Sequence, residues 1–226
     1  DCPAGNIDGG SEACTKEGEV GSGVFGGDKP DDNSGVLQYV VVKYAGSNVN
    51  NQEQLNGIAF QGVGYNTVVD HIQVHNNQDD GIEFFGGTVS ATHVVLTGNR
   101  DDSLDWTDGW TGNIQYLYIE QRGAGDNAIE ADNRESDFNA DPTSSPSISN
   151  MTIQGLPGEN GVRLRHGTEV RIANSFVDGS ATCLRVNDES RNKLGQGIVI
   201  EGTSFACATT HRSDDDGAVA AYLDGQ

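Results

Sequence analysis

Hydrophobic residues return along the chain at a nearly constant interval, each time as an apolar pair two positions apart. The steps between successive pairs are 24, 22, 25, 33 and 22 residues. A repeat in the low twenties with one short strand-like segment per unit is typical of a solenoid of stacked strands. We therefore predict one buried aliphatic line, formed by the first members of the pairs: Ile58, Ile82, Leu104, Ile129, Val162 and Leu184.

A second set of apolar segments recurs once per repeat, so each coil contains at least two strands. These segments cover residues 39–42, 71–74, 93–96, 116–119 and 150–153. Alternation places Ile72 and Val74 on one face and His71 and Gln73 on the other, as in a half-buried strand. No stretch of ten or more residues keeps a helical apolar stripe. The pattern predicts an all-β fold, a right-handed parallel β-helix (solenoid) of about six to seven coils.

The repeats divide the chain into two parts. Residues 1–33 are predicted to be a loop-rich N-terminal segment, and residues 34–226 to form the parallel β-helix. The long step contains a polar segment with two prolines, residues 134–147, which we interpret as a loop outside the coil. The chain starts at Asp1 without Met and stops at Gln226 soon after an apparent coil. We therefore expect both ends to be cuts through a longer β-helix precursor.

Composition and charge restrict the partners. The 31 glycines and 7% aromatic residues of this 226-residue chain suit a turn-rich all-β domain. A formal charge of −21, from 34 acidic and 13 basic residues, argues against nucleic acid or an anionic membrane surface as a partner. The same charge favours cations. The sequence has no apolar run long enough for insertion into a membrane.

The four cysteines fall into two local pairs, Cys2 with Cys14 and Cys183 with Cys207. Of the three possible connectivities we favour these pairs, because the second separation is about one coil and brings both residues to neighbouring coils. Two disulfides indicate an oxidising compartment, which predicts a secreted protein or one on the outer cell surface. The alternative is four reduced, buried thiols. A zinc site is less favoured because the sequence contains no Cys-x-x-Cys spacing.

Acidic residues recur at equivalent positions, and in a β-helix such positions stack at roughly 4.8 Å. The residues directly after the marker line are Ala59, Glu83, Asp105, Glu130, Arg163 and Arg185. A second predicted column contains Asp79, Asp101 and Asp126, and a third contains Asn56, Asp80, Asp102, Asn127 and Asn160. Like charges at about 5 Å repel by roughly 3 kcal/mol at an effective dielectric constant of about 20.

Calcium is the natural counter-ion for these columns, because it accepts six to eight carboxylate and carbonyl oxygens in flexible geometry. The candidate metal ligands are Asp79, Asp80, Glu83, Asp101, Asp102, Asp105, Asp126 and Glu130. The alternative is structural: the turn Asp and Asn side chains bond to the backbone, and the charges form a ladder balanced by the arginines. Asp108, before Gly109, is expected to be a turn residue rather than a ligand.

A further column places aromatic rings on the surface. It contains Tyr39, His71, His93, Tyr116 and Asn150. Two stacked histidines suit a transition metal, but imidazoles also occur in ordinary exposed ladders. Trp106 is expected to face the core. Tyr116, Tyr118 and Trp110 are the candidate ligand-binding aromatics, since an exposed flat ring stacks on a sugar or on another protein.

Several motifs carry a family resemblance. They cover residues 26–27, 30–40, 55–58, 62–64, 79–89 and 101–106. These motifs resemble uncharacterised secreted or lipid-anchored right-handed parallel β-helix proteins, hypothetical lipoproteins of Gram-negative bacteria, over roughly residues 20–190. The resemblance implies an extracytoplasmic β-helix with further N-terminal coils. It implies no catalytic residues.

Two functions remain open. The first is a non-catalytic, cation-binding β-helix that acts in adhesion, glycan binding or self-assembly, with a glycan, a surface protein or its own copies as partner. The second is a calcium-dependent polysaccharide lyase or glycoside hydrolase, since many β-helix proteins cleave acidic polysaccharides. Its weak catalytic candidates are Glu83, Asp105, Glu130 and Arg163, as proton donor, base or charge stabiliser. We favour the first function.

Overall fold

The computed structural model describes residues 15–18, 22–49 and 55–225. The predicted Cys2–Cys14 disulfide lies outside these ranges. The strands before the long loop are β1 Thr15–Glu17, β2 Val24–Gly26, β3 Val36–Lys43, β4 Ile58–Gln61, β5 Val68–His75, β6 Ile82–Phe85, β7 Ala91–Thr97, β8 Leu104–Thr107, β9 Asn113–Glu120 and β10 Ile129–Ala131. Those after it are β11 Ser147–Gln154, β12 Asn160–Leu164, β13 Val170–Ala173, β14 Phe176–Asp178, β15 Thr182–Val186, β16 Ile198–Glu201, β17 Ser204–Ala206 and β18 Thr209–Ser213. A 3-10 helix covers Asp188–Lys193, and α1 covers Asp216–Asp224.

The strands form a right-handed parallel β-helix of about six turns, as predicted. The first sheet contains β4, β6, β8, β10, β12, β15 and β18, in chain order. The second sheet contains β3, β5, β7, β9, β11, β13 and β16, and β14 and β17 continue it beside β11. The pairing register aligns all six marker residues, from Ile58 to Leu184. Five of them are at most 1% exposed and Ile58, in the first coil, is half-buried, so the predicted aliphatic line is confirmed.

Each coil of the second sheet bends at a single residue with left-handed backbone geometry. The φ angles at these bends lie between 49° and 61°. The bend residues are Tyr39, His71, His93, Tyr116, Asn150, Asn174 and Gly202. The bend turns the side chain at this position outward, so the aromatic column predicted from the sequence lies on a corner of the solenoid.

Trp106 and Trp110 both lie in the core, and both are completely buried. The indole of Trp110 stacks on Phe84 with ring centroids 4.0 Å apart, and its Nε1–H donates to the Val89 carbonyl at 3.0 Å. The prediction that Trp110 is an exposed ligand-binding ring is therefore wrong. The left-handed pair Asp108 and Gly109 turns the chain inward just before it.

The C-terminal end of the solenoid is covered by α1, which the sequence did not predict. Asp215 caps the helix by accepting from the Ala218 N–H, and Val219 is fully buried against the last coil. Tyr222 accepts a hydrogen bond from the Ile200 N–H at 2.7 Å. Nearby, the predicted Cys183–Cys207 disulfide is present, with Cα atoms 5.4 Å apart. Within the described ranges, no helix is both long and apolar enough to cross a membrane.

Candidate functional site

The acidic residues predicted to stack do so on the outer face of the first sheet. Glu83 pairs with Asp105, and Glu130 pairs with Arg163 in the parallel register. The column continues beyond the prediction, because Arg185 pairs with Arg212 of β18. The first sheet therefore has an acidic half followed by a basic half. We call Asp80, Glu83, Asp102, Asp105 and Glu130 the acid cluster.

The acid cluster is more buried than its outward direction suggested. Glu83 and Glu130 are each only 7% exposed. Amide side chains from the neighbouring turn cover them: Asn56 Nδ2 donates to Glu83 at 2.6 Å, and Asn127 Nδ2 donates to Glu130 at 3.0 Å. The repeat spacing predicts which residues share a column. It does not predict that asparagines of a second column cover these carboxylates, which is seen only in the structure.

The turn column forms the hydrogen-bonded ladder that was the structural alternative to a metal site. The Asp102 N–H donates to Asp80 Oδ1 at 2.9 Å. Asn127 donates to Asp102 Oδ1 from its backbone at 2.6 Å and from its side chain at 2.9 Å. Asn160 Nδ2 then donates to Asn127 Oδ1 at 2.8 Å. One oxygen of each turn aspartate thus supports the bend, which leaves the other oxygen to the cluster.

All eight predicted metal ligands converge into overlapping groups whose oxygens lie within 4.8 Å of one another. Two inner groups share Asp105, and two outer groups share Asp101, the most exposed member. The groups are Asp80–Glu83–Asp105, Asp102–Asp105–Glu130, Asp79–Asp80–Asp101 and Asp101–Asp102–Asp126. Asp101 and Asp126 form the solvent-facing side of the site.

The crowded carboxylates resist ionisation. Burial, followed by repulsion from neighbouring carboxylates, raises the pKa of Asp80, Asp102 and Asp105 well above the ordinary range. Burial and the charge of Asp101 raise the pKa of Asp79 to about 6. A cation among these oxygens would lower these pKa values, since its charge favours the ionised carboxylates.

Among the described residues, two arginines bring positive charge to the Glu130 end of the acid cluster. Arg163 Nη1 lies 3.0 Å from Glu130 Oε1, and Arg165 also contacts Glu130. In the part of the chain that the structure describes, no lysine or arginine forms an ion pair with Asp80 or Asp105. Asp105 Oδ1 is buried and accepts no hydrogen bond from any described residue. The centre of the cluster therefore contains an oxygen without a partner.

A second group of charges lies beside the basic end. Arg165 Nε donates to Asp132 at 2.7 Å, and His166 Nδ1 lies 2.9 Å from the other oxygen of Asp132. Phe138, from the long loop, stacks on His166 with ring centroids 4.6 Å apart. The sequence analysis did not assign Asp132 or His166 to the site. Asp132 lies two positions after Glu130, so strand alternation could have placed it on the same face.

The donor set fits calcium. Every side-chain ligand in the four groups is a carboxylate, and calcium takes six to eight oxygens at about 2.3–2.6 Å. Asp105, whose Oδ1 accepts no hydrogen bond from any described residue, belongs to both inner groups, where a cation would supply the missing interaction. Zinc, which prefers nitrogen and sulfur ligands, fits this set less well.

The remaining predicted ligand-binding aromatics lie elsewhere. Tyr116 is at the corner of the second sheet and is 49% exposed. Tyr118, two residues further on, donates from its hydroxyl to Gln154 at 2.8 Å. The structure therefore separates the aromatic candidates from the metal candidates, and places them on different sheets.

The comparisons with known proteins agree with this architecture. The model of a family described as a pectate-lyase-like β-helix domain matches residues 2–220, almost the whole chain. Neither the curated proteins nor the solved structures gave a significant match.

Proposed function

Because the chain belongs to the pectate-lyase-like β-helix family, we propose that it binds an acidic polysaccharide through divalent cations held at the acid cluster. Binding takes place without cleavage, in the extracellular space or at the cell surface. The observation that carries the proposal is Asp105, whose buried Oδ1 lacks a partner at the centre of a carboxylate cluster.

Charge balance supports the cation. Two arginines reach one end of the acid cluster, and the whole chain carries a formal charge of −21. Ionised carboxylates about 5 Å apart repel by roughly 3 kcal/mol per pair at an effective dielectric constant of about 20. A cation removes this cost and binds only the folded state, where the coils bring the ligands together.

The outer groups provide the contact with a glycan. Asp101 is exposed and Asp126 is half-buried, so a cation held there keeps coordination positions open to solvent. When bound, calcium supplies a bridge between the protein carboxylates and the carboxylate of a uronic acid residue. Calcium accepts such mixed oxygen sets readily. An acidic protein needs this bridge, since it otherwise repels an acidic polymer.

Binding is favoured over catalysis because the candidate catalytic side chains are buried or already hydrogen-bonded to other residues. Glu83 and Glu130 are buried under amide side chains, and Arg163 is held by Glu130. A general acid or base has to reach the atom whose proton it transfers, within about 2.6–3.2 Å. Instead, Glu83 is held by Asn56, and Glu130 and Arg163 are held by each other.

The test of the cation site compares calcium with sodium at matched ionic strength. Calcium should raise the free energy of unfolding by RT ln(1 + [L]/Kd), about 2.7 kcal/mol at a hundredfold excess over Kd. Asp105→Asn should weaken this response and slightly stabilise the calcium-free protein, since it removes one repelling charge. Asp28→Asn makes the same charge change at an exposed position outside the cluster and should keep the full response.

Equal calcium responses in Asp105→Asn and the parent would rule out a site at Asp105. The glycan is tested separately, by calorimetry with polygalacturonate in calcium and in chelator. We expect binding only with calcium, and none with a neutral glucan. Calcium binding without any polygalacturonate binding would retain the cation site and reject the glycan.

The second candidate function is a polysaccharide lyase or glycoside hydrolase, and one observation favours it. Arg163 and Arg165 lie directly beside the acid cluster, where a base could act on a bound uronate. A lyase would produce an unsaturated uronate that absorbs ultraviolet light, and a hydrolase would produce reducing ends without that absorbance. Product formation that Arg163→Lys abolishes would replace the binding proposal with the lyase.

A further inference from the structure

Four rings stack on the corner of the second sheet, away from the acid cluster. Tyr39, His71, His93 and Tyr116 follow one another in adjacent coils, and we call them the corner ladder. The successive ring centroids are 4.8, 4.2 and 4.9 Å apart, and all three pairs are stacked. The rings cover one another's faces, so mainly their edges meet solvent.

The two histidines of the ladder share one carboxylate. The Nδ1 atoms of His71 and His93 both lie 2.9 Å from Asp70 Oδ1. The Thr92 hydroxyl donates to the same oxygen at 2.6 Å. Hydrogen bonds from this hydroxyl and from both imidazoles hold the pKa of Asp70 well below its ordinary value, so the carboxylate is ionised.

The backbone does not require histidine at these two bends. His71 and His93 have φ angles of 52° and 53°, in the left-handed region that is costly for most residues. Later coils place Asn150, Asn174 and Gly202 at the same bend. Asparagine and glycine fit this geometry at least as well. A pair of imidazoles beside an aspartate therefore suggests a role beyond forming the bend.

We propose that Asp70, His71 and His93 bind a divalent transition-metal ion such as Zn²⁺, independently of the proposed function. Two imidazoles and one carboxylate form a set that suits zinc, copper, nickel or iron, whereas calcium prefers oxygen alone. Asp70 Oδ1 lies 2.9 Å from each Nδ1, so the three ligand atoms are already close enough to bind one ion with bonds of about 2.0–2.2 Å after small side-chain shifts.

The protonation states allow this binding. A neutral imidazole carries one proton, which lies on Nδ1 while that atom donates to Asp70. A metal bound at Nδ1 requires this proton to be on Nε2, the other ring nitrogen, and the ring is neutral in either form. The ionised Asp70 offsets one positive charge of the ion, and the negative charge of the whole chain favours its approach.

The site is open to solvent. The side chains of His71 and His93 are 43% and 46% exposed. A shallow groove of about 560 Å³ runs beside the ladder, with Val41, Val95 and Tyr118 in its lining. It leaves room for water or for a ligand atom to complete the coordination of the ion.

The experiment is calorimetric titration with Zn²⁺ in saturating calcium, which occupies the carboxylate sites. His71→Asn and His93→Asn each remove one ligand and place at the bend the residue that later coils use. Loss of an outer-shell partner alone weakens metal sites by about 10–100-fold, so loss of a ligand should weaken Zn²⁺ binding at least tenfold. His75→Asn is the matched control. His75 contacts Thr97 instead of Asp70, so this variant should bind Zn²⁺ with the affinity of the parent protein.

A second readout needs no variant. On addition of Zn²⁺ to the parent protein, the imidazole nitrogen resonances of His71 and His93 should shift, and those of His75 and His211 should not. Unchanged resonances at His71 and His93 would overturn the proposal. Parental Zn²⁺ affinity in both asparagine variants would do the same, and would leave the corner ladder as a stack of rings.

Discussion

The acid cluster and the corner ladder are built by the same rule and have opposite energetics. Each contains residues from equivalent positions in successive coils, so the spacing of the coils brings like beside like. Among the carboxylates this produces repulsion and raised pKa values. Among the rings it produces favourable stacking, worth roughly 0.5–1.5 kcal/mol per pair. In a solenoid, the interaction between two residues of the same type recurs at each pair of adjacent coils, whether it is favourable or unfavourable.

Burial increases the difference. The acid cluster lies under the amides of a neighbouring column, where charges interact strongly and solvent screens them little. The rings of the corner ladder are exposed, so solvent screens the charges beside them. The first sheet should therefore depend for its stability on calcium and on the protonation of the acid cluster, whereas ring stacking at the corner should not depend on calcium.

The largest expected effect is at the junction of the acidic and basic halves of the first sheet. Arg165→Met should lower the free energy of unfolding by about 3–5 kcal/mol, because it removes a positive charge beside the buried carboxylates of Asp132 and Glu130. Urea unfolding at neutral pH measures the loss.

Arg122→Met is the matched control for this change. Arg122 is 58% exposed and pairs with Glu120, and such solvent-screened surface pairs contribute little to stability. If both variants lost the same stability, the junction carboxylates would have to be neutral already. The contrast between buried and exposed columns would then fail.

The second effect is on the pH dependence of stability without calcium. The pKa of Asp79 is raised to about 6, and burial, followed by repulsion from neighbouring carboxylates, raises the pKa values of Asp80, Asp102 and Asp105 well above the ordinary range. The folded state then binds more protons than the unfolded state, so these groups favour folding at low pH. Their contribution is complete below the ordinary pKa near 3.8 and is lost as pH rises through the folded-state values.

We therefore expect the melting temperature of the calcium-free protein to rise as pH falls from 7 to 5. Each kcal/mol corresponds to about 2–4 °C in a domain of this size. Saturating calcium should flatten the profile, because the cation replaces the protons, and Asp105→Asn should reduce its slope. A melting temperature that falls steadily over this range would show that the cluster is not strained by its own charge.

Much of the fold could be predicted from the sequence because one interval governs it. Residues spaced like Ile82 and Leu104 must fill the same core position, so the marker line, the strand register and the acidic column follow from counting. The Cys183–Cys207 disulfide follows from the same interval. Local spacing is enough when the contacts that matter join adjacent coils.

The rest depends on contacts that the interval does not encode. Trp110 enters the core after an irregular turn, so the count could not place it. The nine residues of α1 are too few for a periodic signal, and its role depends on covering the last coil. In the candidate site, Asn56 and Asn127 cover carboxylates of another column. Asp70 meets the two histidines only because the chain bends beside it.

The smallest expected effect is at the corner ladder. It tests whether the stability contributed by ring stacking is independent of calcium. His93→Asn removes two stacking contacts but keeps a residue that tolerates left-handed geometry, so it should cost about 1 kcal/mol, the low end of the range for two exposed stacked pairs. His93→Val removes the same contacts and adds a β-branched residue where φ is 53°, for a further 1–2 kcal/mol or so. Both losses, measured by urea unfolding, should be equal with and without calcium, because the ladder lies on the second sheet and the acid cluster on the first. A calcium-dependent loss in either variant would mean that the corner and the acid cluster are coupled through the core, and the two columns could no longer be treated as independent.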